Sequence, residues 1–394
     1  MKVLVADKFP EKHIEQMKEL GLEVNYAPQL AENNLHEAIA GIDILVVRST
    51  KVNATAIKKS DILNLIIRAG AGVNNIDIAA ANKKGIYVAN CPGMNSIAVA
   101  ELAMGLMLSL DRRIPDNVSD FKNGVWNKGE YSKAEGLHGK NLALIGVGNI
   151  GKEVAKRALA FGMNVYGKDI SRIEGMAIKD FSEMDKILPM CDIISLHLPL
   201  TPQTRGLFNK EMFGYLKPGA LLINTSRAEI LDEEAMIAAI NEKNIRVAVD
   251  VFKGEPEQKS GAVTSPLQAL KNVYVTHHIG ASTEQAQNAV AAETVRIIKD
   301  YMNSGLIAHW VNKASTTQSS YQLVVKHFDR PGVLSSIFAV IKEEDVNIEE
   351  IENIIFDGGL IASCTMKLKA GISAARLQSI QENQNVLSVS YIAL

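Results

Sequence analysis

Arg227, Glu255 and His278 are three polar side chains of complementary chemistry, each lying just past a short apolar segment, at 221–224, 247–250 and 273–276. If those segments are neighbouring strands of one parallel sheet, the three groups share its carboxyl edge, where open α/β folds hold their ligands. A histidine exchanges a proton near neutral pH, and a carboxylate beside it fixes the ring tautomer and steadies its charged form. An arginine fork holds a substrate carboxylate by two parallel hydrogen bonds next to the reacting carbon. The chemistry that needs this set is hydride removal from a hydroxyl-bearing carbon: a nicotinamide takes the hydride, and the protein moves the proton and aligns the substrate. Singly, each residue also reads as a solvated charge or a satisfied loop histidine. As a set at successive strand ends they favour catalysis.

The hydride carrier has its expected place upstream. An apolar run at 141–145 leads into Gly146-Val147-Gly148-Asn149-Ile150-Gly151, followed by Ile150, Val154, Ala158 and Phe161 at helical spacing, a second apolar run and Asp169. Gly146 permits the tight turn, Gly148 lets the backbone approach a pyrophosphate, and Gly151 lets the helix pack closely on the strand. The phosphates then sit over the positive helix N-terminus. Asp169, about 20 residues on, accepts from ribose hydroxyls and repels a 2′-phosphate, so NAD is expected over NADP; Lys168 and Arg172 beside it leave some room for NADP. The glycine pattern alone is weak, and the strand before, helix after and acid beyond make it specific.

The elements that must position these residues read as alternating strands and helices. In the first ninety residues, strands are expected at 3–6, 23–26, 44–47, 65–68 and 86–89, forming an open parallel sheet. Arg48 and Lys51 stand just past the third, two cations at a ligand-binding edge, although a solvated loop is an equal reading for Lys51. Arg68-Ala69-Gly70-Ala71-Gly72-Val73-Asn74 ends the fourth, with glycines that leave N–H groups turned toward an anion. Pro92 and Gly93 mark a domain crossing before an apolar helix at 96–110, expected to be buried between layers or subunits, with Glu101 as a paired structural carboxylate. A stretch at 121–139 wraps over a surface, with Trp126 as an anchor for a partner subunit or for local packing. Six strands, at 141–145, 164–167, 193–196, 221–224, 247–250 and 273–276, form a second sheet. A small-polar run over 312–320 reads as a linker. Beyond it the order strand, helix, strand, strand, helix, strand describes a small antiparallel domain.

Composition limits the alternatives. With 394 residues and a net charge of −2 of mixed sign, the chain calls for two or three domains and has no electrostatic footprint for nucleic acid or membrane. Neither a signal peptide nor a spanning helix is expected, which points to the cytoplasm. Cys91, Cys191 and Cys364 are far apart and lack metal-ligand spacing, so no metal is expected and the thiols read as small buried apolar groups.

Over about residues 1–312 the sequence resembles the D-isomer-specific 2-hydroxyacid dehydrogenases, most closely the branch acting on 3-phosphoglycerate. The resemblance rests on Val47-Arg-Ser-Thr-Lys-Val52, Arg68-Ala-Gly-Ala-Gly-Val-Asn-Asn-Ile-Asp77, Gly146-Val-Gly-Asn-Ile-Gly151, Asn224-Thr-Ser-Arg-Ala228, Asp250-Val-Phe-Lys-Gly-Glu-Pro256 and His278-Ile-Gly-Ala-Ser-Thr283. It implies His278 as acid/base, Glu255 as its partner, Arg227 as the clamp on the substrate carboxylate, and Asp250 facing the nicotinamide carboxamide. Arg48 would meet a substrate phosphate, with Lys51 beside it, and the turn of Ala71, Gly72, Val73 and Asn74 would help hold the carboxylate. His277 stands where the family usually has proline. His327-Phe-Asp-Arg-Pro-Gly-Val-Leu334 resembles the ACT domain signature, which implies an amino-acid effector, here L-serine, at His327, Asp329 and Asn347; Asp329 replaces the asparagine of serine-inhibited relatives.

The implied fold is two Rossmann-like doubly wound parallel-sheet domains, the N-terminal one discontinuous, plus a C-terminal βαββαβ ACT-like domain. Its substrate domain would span 1–95 and 283–312, its NAD-binding domain 96–282, a linker 313–320 and the regulatory domain 321–394, with hinges near 92–95 and 280–283. The implied reaction is NAD-dependent oxidation of D-3-phosphoglycerate to 3-phosphohydroxypyruvate, the first step of L-serine synthesis, in a homodimer or homotetramer. The alternatives are the same chemistry on hydroxypyruvate, glyoxylate or 2-oxoglutarate, and a non-catalytic NAD-sensing scaffold.

Overall fold

A computed structural model describes residues 1–170, 175–256, 261–314 and 318–394. Arg172 and part of the 313–320 linker lie outside the described residues. The chain forms two compact units, Met1–Asn312 and Lys313–Leu394.

The first unit contains two parallel sheets. One is built from β1 (Lys2–Val5), β2 (Glu23–Tyr26), β3 (Ile44–Val47), β4 (Leu65–Arg68) and β5 (Tyr87–Asn90), in the order β2-β1-β3-β4-β5. The other holds β6 (Asn141–Ile145), β7 (Asn164–Lys168), β8 (Lys179–Asp180), β9 (Ile193–Leu196), β10 (Leu221–Asn224), β11 (Arg246–Val249) and β12 (Val273–Val275), in the order β12-β11-β10-β9-β6-β7-β8. The second sheet thus has seven described strands where six were expected. The addition, β8, is a two-residue edge strand reading Lys-Asp, too short and too polar to stand out in the sequence. β3, β9 and β10 are buried at every position, which is why they read as unbroken apolar runs: helices cover both faces of a parallel sheet.

Side-chain alternation sends Leu4, Leu45, Val47 and Ile66 to one face of the first sheet and Val3, Val5, Ile44, Val46 and Ile67 to the other. The second face is completed by the helix Glu284–Ser304, whose Val290, Ile297 and Ile298 pack on these valines and isoleucines. The chain therefore returns to its N-terminal sheet after finishing the second one. It is pinned there by a bridge between Ala89 and Trp310, by Trp310 packing edge-on to Tyr87, and by Asn312 Oδ1 accepting the Val88 N–H at 2.8 Å. The apolar helix Ser96–Arg112 enters the second sheet's core through Ala100, Ala103, Met104 and Met107. Its Glu101 lies outward, 3.5 Å from Arg157. In the 121–139 stretch Phe121 and Trp126 are 70% and 81% exposed.

The second unit arranges β13 (Tyr321–Phe328), β14 (Ile348–Ile355), β15 (Ile361–Leu368) and β16 (Val386–Ala393) as an antiparallel sheet in the order β14-β15-β13-β16. The helices Val333–Glu343 and Ala374–Gln381 pack on its Leu323, Val325, Met366 and Leu368 through Ile337, Ile341 and Ile380. Among the described residues of the whole chain, no helix is long and apolar enough to cross a membrane.

Ile297 is fully buried where the returning helix meets the first sheet, so Ile297→Ala should lower stability by about 2–5 kcal/mol, seen as a reduced denaturant midpoint with an unchanged slope.

Candidate active site

The edge at the carboxyl ends of β10, β11 and β12 brings the three polar residues together. Nδ1 of His278 lies 2.8 Å from Oε2 of Glu255, and the other carboxylate oxygen, Oε1, accepts the Phe252 N–H at 3.0 Å. The glutamate is thus fixed by the turn that precedes it and in turn orients the ring. With Nδ1–H given to Glu255, Nε2 is the acceptor that can take a proton. This hydrogen bond and charge raise the His278 pKa above its ordinary value, against partial desolvation and the Arg227 charge.

His278 has φ of 51°, a left-handed conformation unusual for a side chain of this size. Its N–H donates to the Asp250 carbonyl at 3.0 Å. The Asp250 carboxylate, 1% exposed, then accepts from Thr276 Oγ1 at 2.6 Å, Ile279 N–H at 2.9 Å and Gly280 N–H at 2.8 Å. Asp250, expected to face the nicotinamide carboxamide, spends three of about four acceptor sites on the turn that carries His278. His277 is drawn into none of these bonds.

Arg227 projects from the segment after β10 across to the first sheet, where Nη2 lies 3.4 Å from Asn74 Oδ1 and Nη1 donates to its neighbour's carbonyl, Ser226 O, at 2.6 Å. Its guanidinium lies against Gly72, where an added Cβ would come within 2.2 Å of Nη2. Beside it is Arg68, not singled out from the sequence as a site residue, laid over Gly70 so that a Cβ there would stand 1.7 Å from Nη1. Arg68 Nε donates to the Arg48 carbonyl at 3.2 Å. Burial, then the charges of Arg227 and Arg48, push the Arg68 pKa down to about 10, and burial lowers that of Arg227. Among the described residues none of the three arginines has a carboxylate partner. The N–H groups of Ala71, Gly72, Val73 and Asn74 donate to no group of the fold there either. Lys51 lines the same cleft, its Nζ 3.8 Å from Glu32 Oε2. The cleft encloses about 590 Å³ between the two sheets and reaches Arg48, Arg68, Arg227, Glu255 and His278.

The glycine loop has the shape a dinucleotide needs. Gly146 (φ 94°) has no room for a Cβ, which would meet His197 O at 2.4 Å, and one on Gly151 would meet Gly146 O at 2.2 Å. Around Gly148, first in line to the helix Asn149–Ala160, there is open space for a ligand. Asn149 and Ile150 open that helix, and the Asp169 carboxylate accepts the Val147 N–H at 2.5 Å, tying Asp169 to the glycine loop. Four buried side-chain atoms lack partners among the described residues: Asn95 Oδ1, Ser96 Oγ, His197 Nδ1 and Thr225 Oγ1. Thr225 and His197 follow adjacent strands of the cofactor sheet and Asn95 lines the cleft. Such orphaned groups fit a bound NAD that would hydrogen-bond them. Burial pushes His197 down to about 4, so it is a neutral partner.

In the second unit, His327 is 1% exposed, with Nδ1 2.8 Å from the Phe328 carbonyl and Nε2 3.2 Å from Asn353 Oδ1. This departs from an effector-facing histidine: the alternation of β13 turns it into the sheet. Asp329 and Asn347 are exposed, the latter donating to Glu349 at 2.8 Å.

Fold and site together define an NAD-dependent oxidoreductase, with a hydrogen-bonded histidine–carboxylate pair beside a cationic cleft. Residues 104–280 match the family model for the NAD binding domain of D-isomer specific 2-hydroxyacid dehydrogenases. The chain is 37% identical to D-3-phosphoglycerate dehydrogenase of Methanocaldococcus jannaschii over 98% of its own length and 75% of that protein. It is 43% identical to hydroxypyruvate reductase of Thermotoga maritima over 68% of its length and 88% of that protein. The crystal structure of NAD+-bound 3-phosphoglycerate dehydrogenase from Entamoeba histolytica superposes with a TM-score of 0.67 at 31% identity, over 79% of this chain and 99% of that one. The protein belongs to the D-isomer specific 2-hydroxyacid dehydrogenase family.

Because Glu255 raises the His278 pKa, reduction, which needs the protonated ring, should persist to higher pH than an ordinary histidine allows, and oxidation, which needs the neutral ring, should set in only as pH rises through the same raised pKa. Glu255→Gln should move both limbs to lower pH, read from pH profiles of kcat/KM in each direction; unmoved limbs would place the titrating group elsewhere. Asp169→Ala should reduce the kcat/KM preference for NAD over NADP on the order of tenfold through lost ribose hydrogen bonds, and an unchanged ratio would put the ribose contact elsewhere.

Proposed function

We propose that the protein oxidises D-3-phosphoglycerate to 3-phosphohydroxypyruvate with NAD, the first step of L-serine synthesis. The observation that carries this is the convergence of Arg48, Arg68 and Arg227, without carboxylate partners among the described residues, on the cleft that also reaches the His278–Glu255 pair. Buried like charges repel, and the arrangement favours a ligand bringing several negative charges. A carboxylate and a phosphate of about −2 supply them. Bound NAD supplies the hydride acceptor. Arg227 clamps the substrate carboxylate, the N–H groups of 71–74 support it, Arg48 and Arg68 receive the phosphate, and His278 Nε2 takes the hydroxyl proton while Glu255 stabilises the imidazolium.

The second reading is the same chemistry on an unphosphorylated acid such as hydroxypyruvate, glyoxylate or 2-oxoglutarate. The Glu32 carboxylate near Lys51, which offsets part of the positive field, favours it. The intact His278, Glu255 and Arg227 weigh against a non-catalytic scaffold.

For the second unit we propose an ACT-like regulatory domain responsive to L-serine, with Asp329 and Asn347 as the accessible members of its site. Ile351, Ile354 and Ile355 on the edge strand β14, with Phe121 and Trp126 in the first unit, are exposed apolar side chains that support a homodimer or homotetramer. Three buried free thiols fit a reducing cytoplasm.

Initial rates with NADH over a panel of 2-oxo acids, with and without L-serine, test the reading. Phosphohydroxypyruvate should be strongly preferred, and serine should inhibit. His278→Ala should lower kcat by about 10²–10⁴-fold while NADH binding stays near normal. Preference for an unphosphorylated acid would establish the second reading, and substantial turnover by His278→Ala would reassign the proton acceptor.

A further inference from the structure

One buried carboxylate, next in the chain to the cleft residues Lys8, Phe9 and Pro10, takes part in neither the chemistry nor an ion pair among the described residues. Asp7 follows β1 at the point where the strand order of the first sheet reverses, between β1 and β3. It is 5% exposed. A single oxygen, Oδ2, accepts three consecutive backbone N–H groups from across the switch point: Arg48 at 2.7 Å, Ser49 at 2.9 Å and Thr50 at 2.9 Å. The far side of the same loop is held by Asn75, whose Nδ2 donates to the Thr50 carbonyl at 2.9 Å and whose carbonyl accepts the Val52 N–H at 2.7 Å. The loop carrying Arg48 and Lys51 is therefore fixed at both ends of its turn, on one side by an ionised acceptor. Hydrogen bonds to a charged acceptor are about twice as strong as neutral ones, and three N–H groups turned inward would otherwise go unpaired at a buried position.

We propose that Asp7 is a positioning residue for substrate recognition: its carboxylate templates the 48–51 loop so that the Arg48 side chain points at the phosphoryl end of the substrate. The argument rests on the phosphorylated-substrate reading above. The same carboxylate has a competing electrostatic role. The Asp7 charge raises the Arg68 pKa, so Asp7 acting as a bare counter-charge would weaken anion binding, and its removal would tighten it. The two roles predict opposite signs.

The test compares wild type, Asp7→Asn, which keeps an acceptor and loses the charge, and Asp7→Ala, which loses both. Each is assayed with phosphohydroxypyruvate and with hydroxypyruvate under NADH, and hydrogen exchange is followed in a peptide covering 44–52. Positioning predicts a KM for phosphohydroxypyruvate raised roughly tenfold or more in Asp7→Ala, partial rescue in Asp7→Asn, near-constant kcat, little change in KM for hydroxypyruvate, and faster exchange of the 48–50 amides in both variants. A lowered KM in both variants would make Asp7 a counter-charge only. Equal losses on both substrates, or a fall in kcat alone, would make its role a general structural one. If Asp7→Ala does not fold, Asp7→Asn decides: wild-type exchange at 48–50 overturns the proposal. A wild-type enzyme indifferent to the phosphate would sink the substrate reading while the exchange result still judges the loop.

Discussion

The structure turns on positive charge that no ion pair among the described residues neutralises. Arg48, Arg68 and Arg227 meet at one cleft without carboxylate partners among the described residues, and two of them lie against Gly70 and Gly72, where any side chain would collide with a guanidinium. The unfavourable burial registers in the lowered pKa values of Arg68 and Arg227. An arrangement of this kind costs stability unless a ligand offsets it, and sites that bind multiply charged anions accept that cost.

Around this centre, carboxylates serve chiefly to hold backbone. Asp7 takes three N–H groups of the Arg48 loop, Asp250 holds the turn bearing His278, Asp169 ties the glycine loop, and Glu255 is anchored by Phe252 before it reaches the histidine. Each acid sits just past a strand of a parallel sheet, where consecutive N–H groups leave the ladder and need acceptors. The same device that satisfies loop ends also sets side-chain direction, so the precision of the site derives from the sheets beneath it.

The two sheets meet the site differently. The second sheet supplies the glycine loop, the orphaned polar atoms of His197 and Thr225, and the trio Arg227, Glu255 and His278. The first sheet supplies Arg48, Arg68 and the N–H groups of 71–74. Because the helix Glu284–Ser304 carries the chain back to the first sheet right after the His278 turn, the His278–Glu255 pair lies close in sequence to the crossing between sheets. Gly93, in the other crossing, lies 3.2 Å (from its would-be Cβ) from the Asn149 side chain at the start of the dinucleotide helix. Both connections thus adjoin the ligand cleft, where a change of crossing angle would open or close it.

The sequence by itself determined much of this. Short apolar segments located all but one described strand of the two parallel sheets, the spacing of Gly146, Gly148 and Gly151 located the tight strand-to-helix turn, and the strand ends pointed to Arg227, Glu255 and His278 at one sheet edge, because periodicity and turn chemistry are local properties. The two-residue β8 escaped because nothing in Lys-Asp distinguishes a strand. Only the tertiary structure decided which distant groups share space. Arg68 read as a strand end, and its approach to Arg227 depends on how the two sheets face each other. Asp7 looked like any acid after a strand until β3 was placed beside β1. His327 fitted a motif, yet the register of β13 turned it inward to Asn353. Side-chain direction, burial and charge convergence are sums over residues far apart in the chain, and they come into being only when the chain has folded.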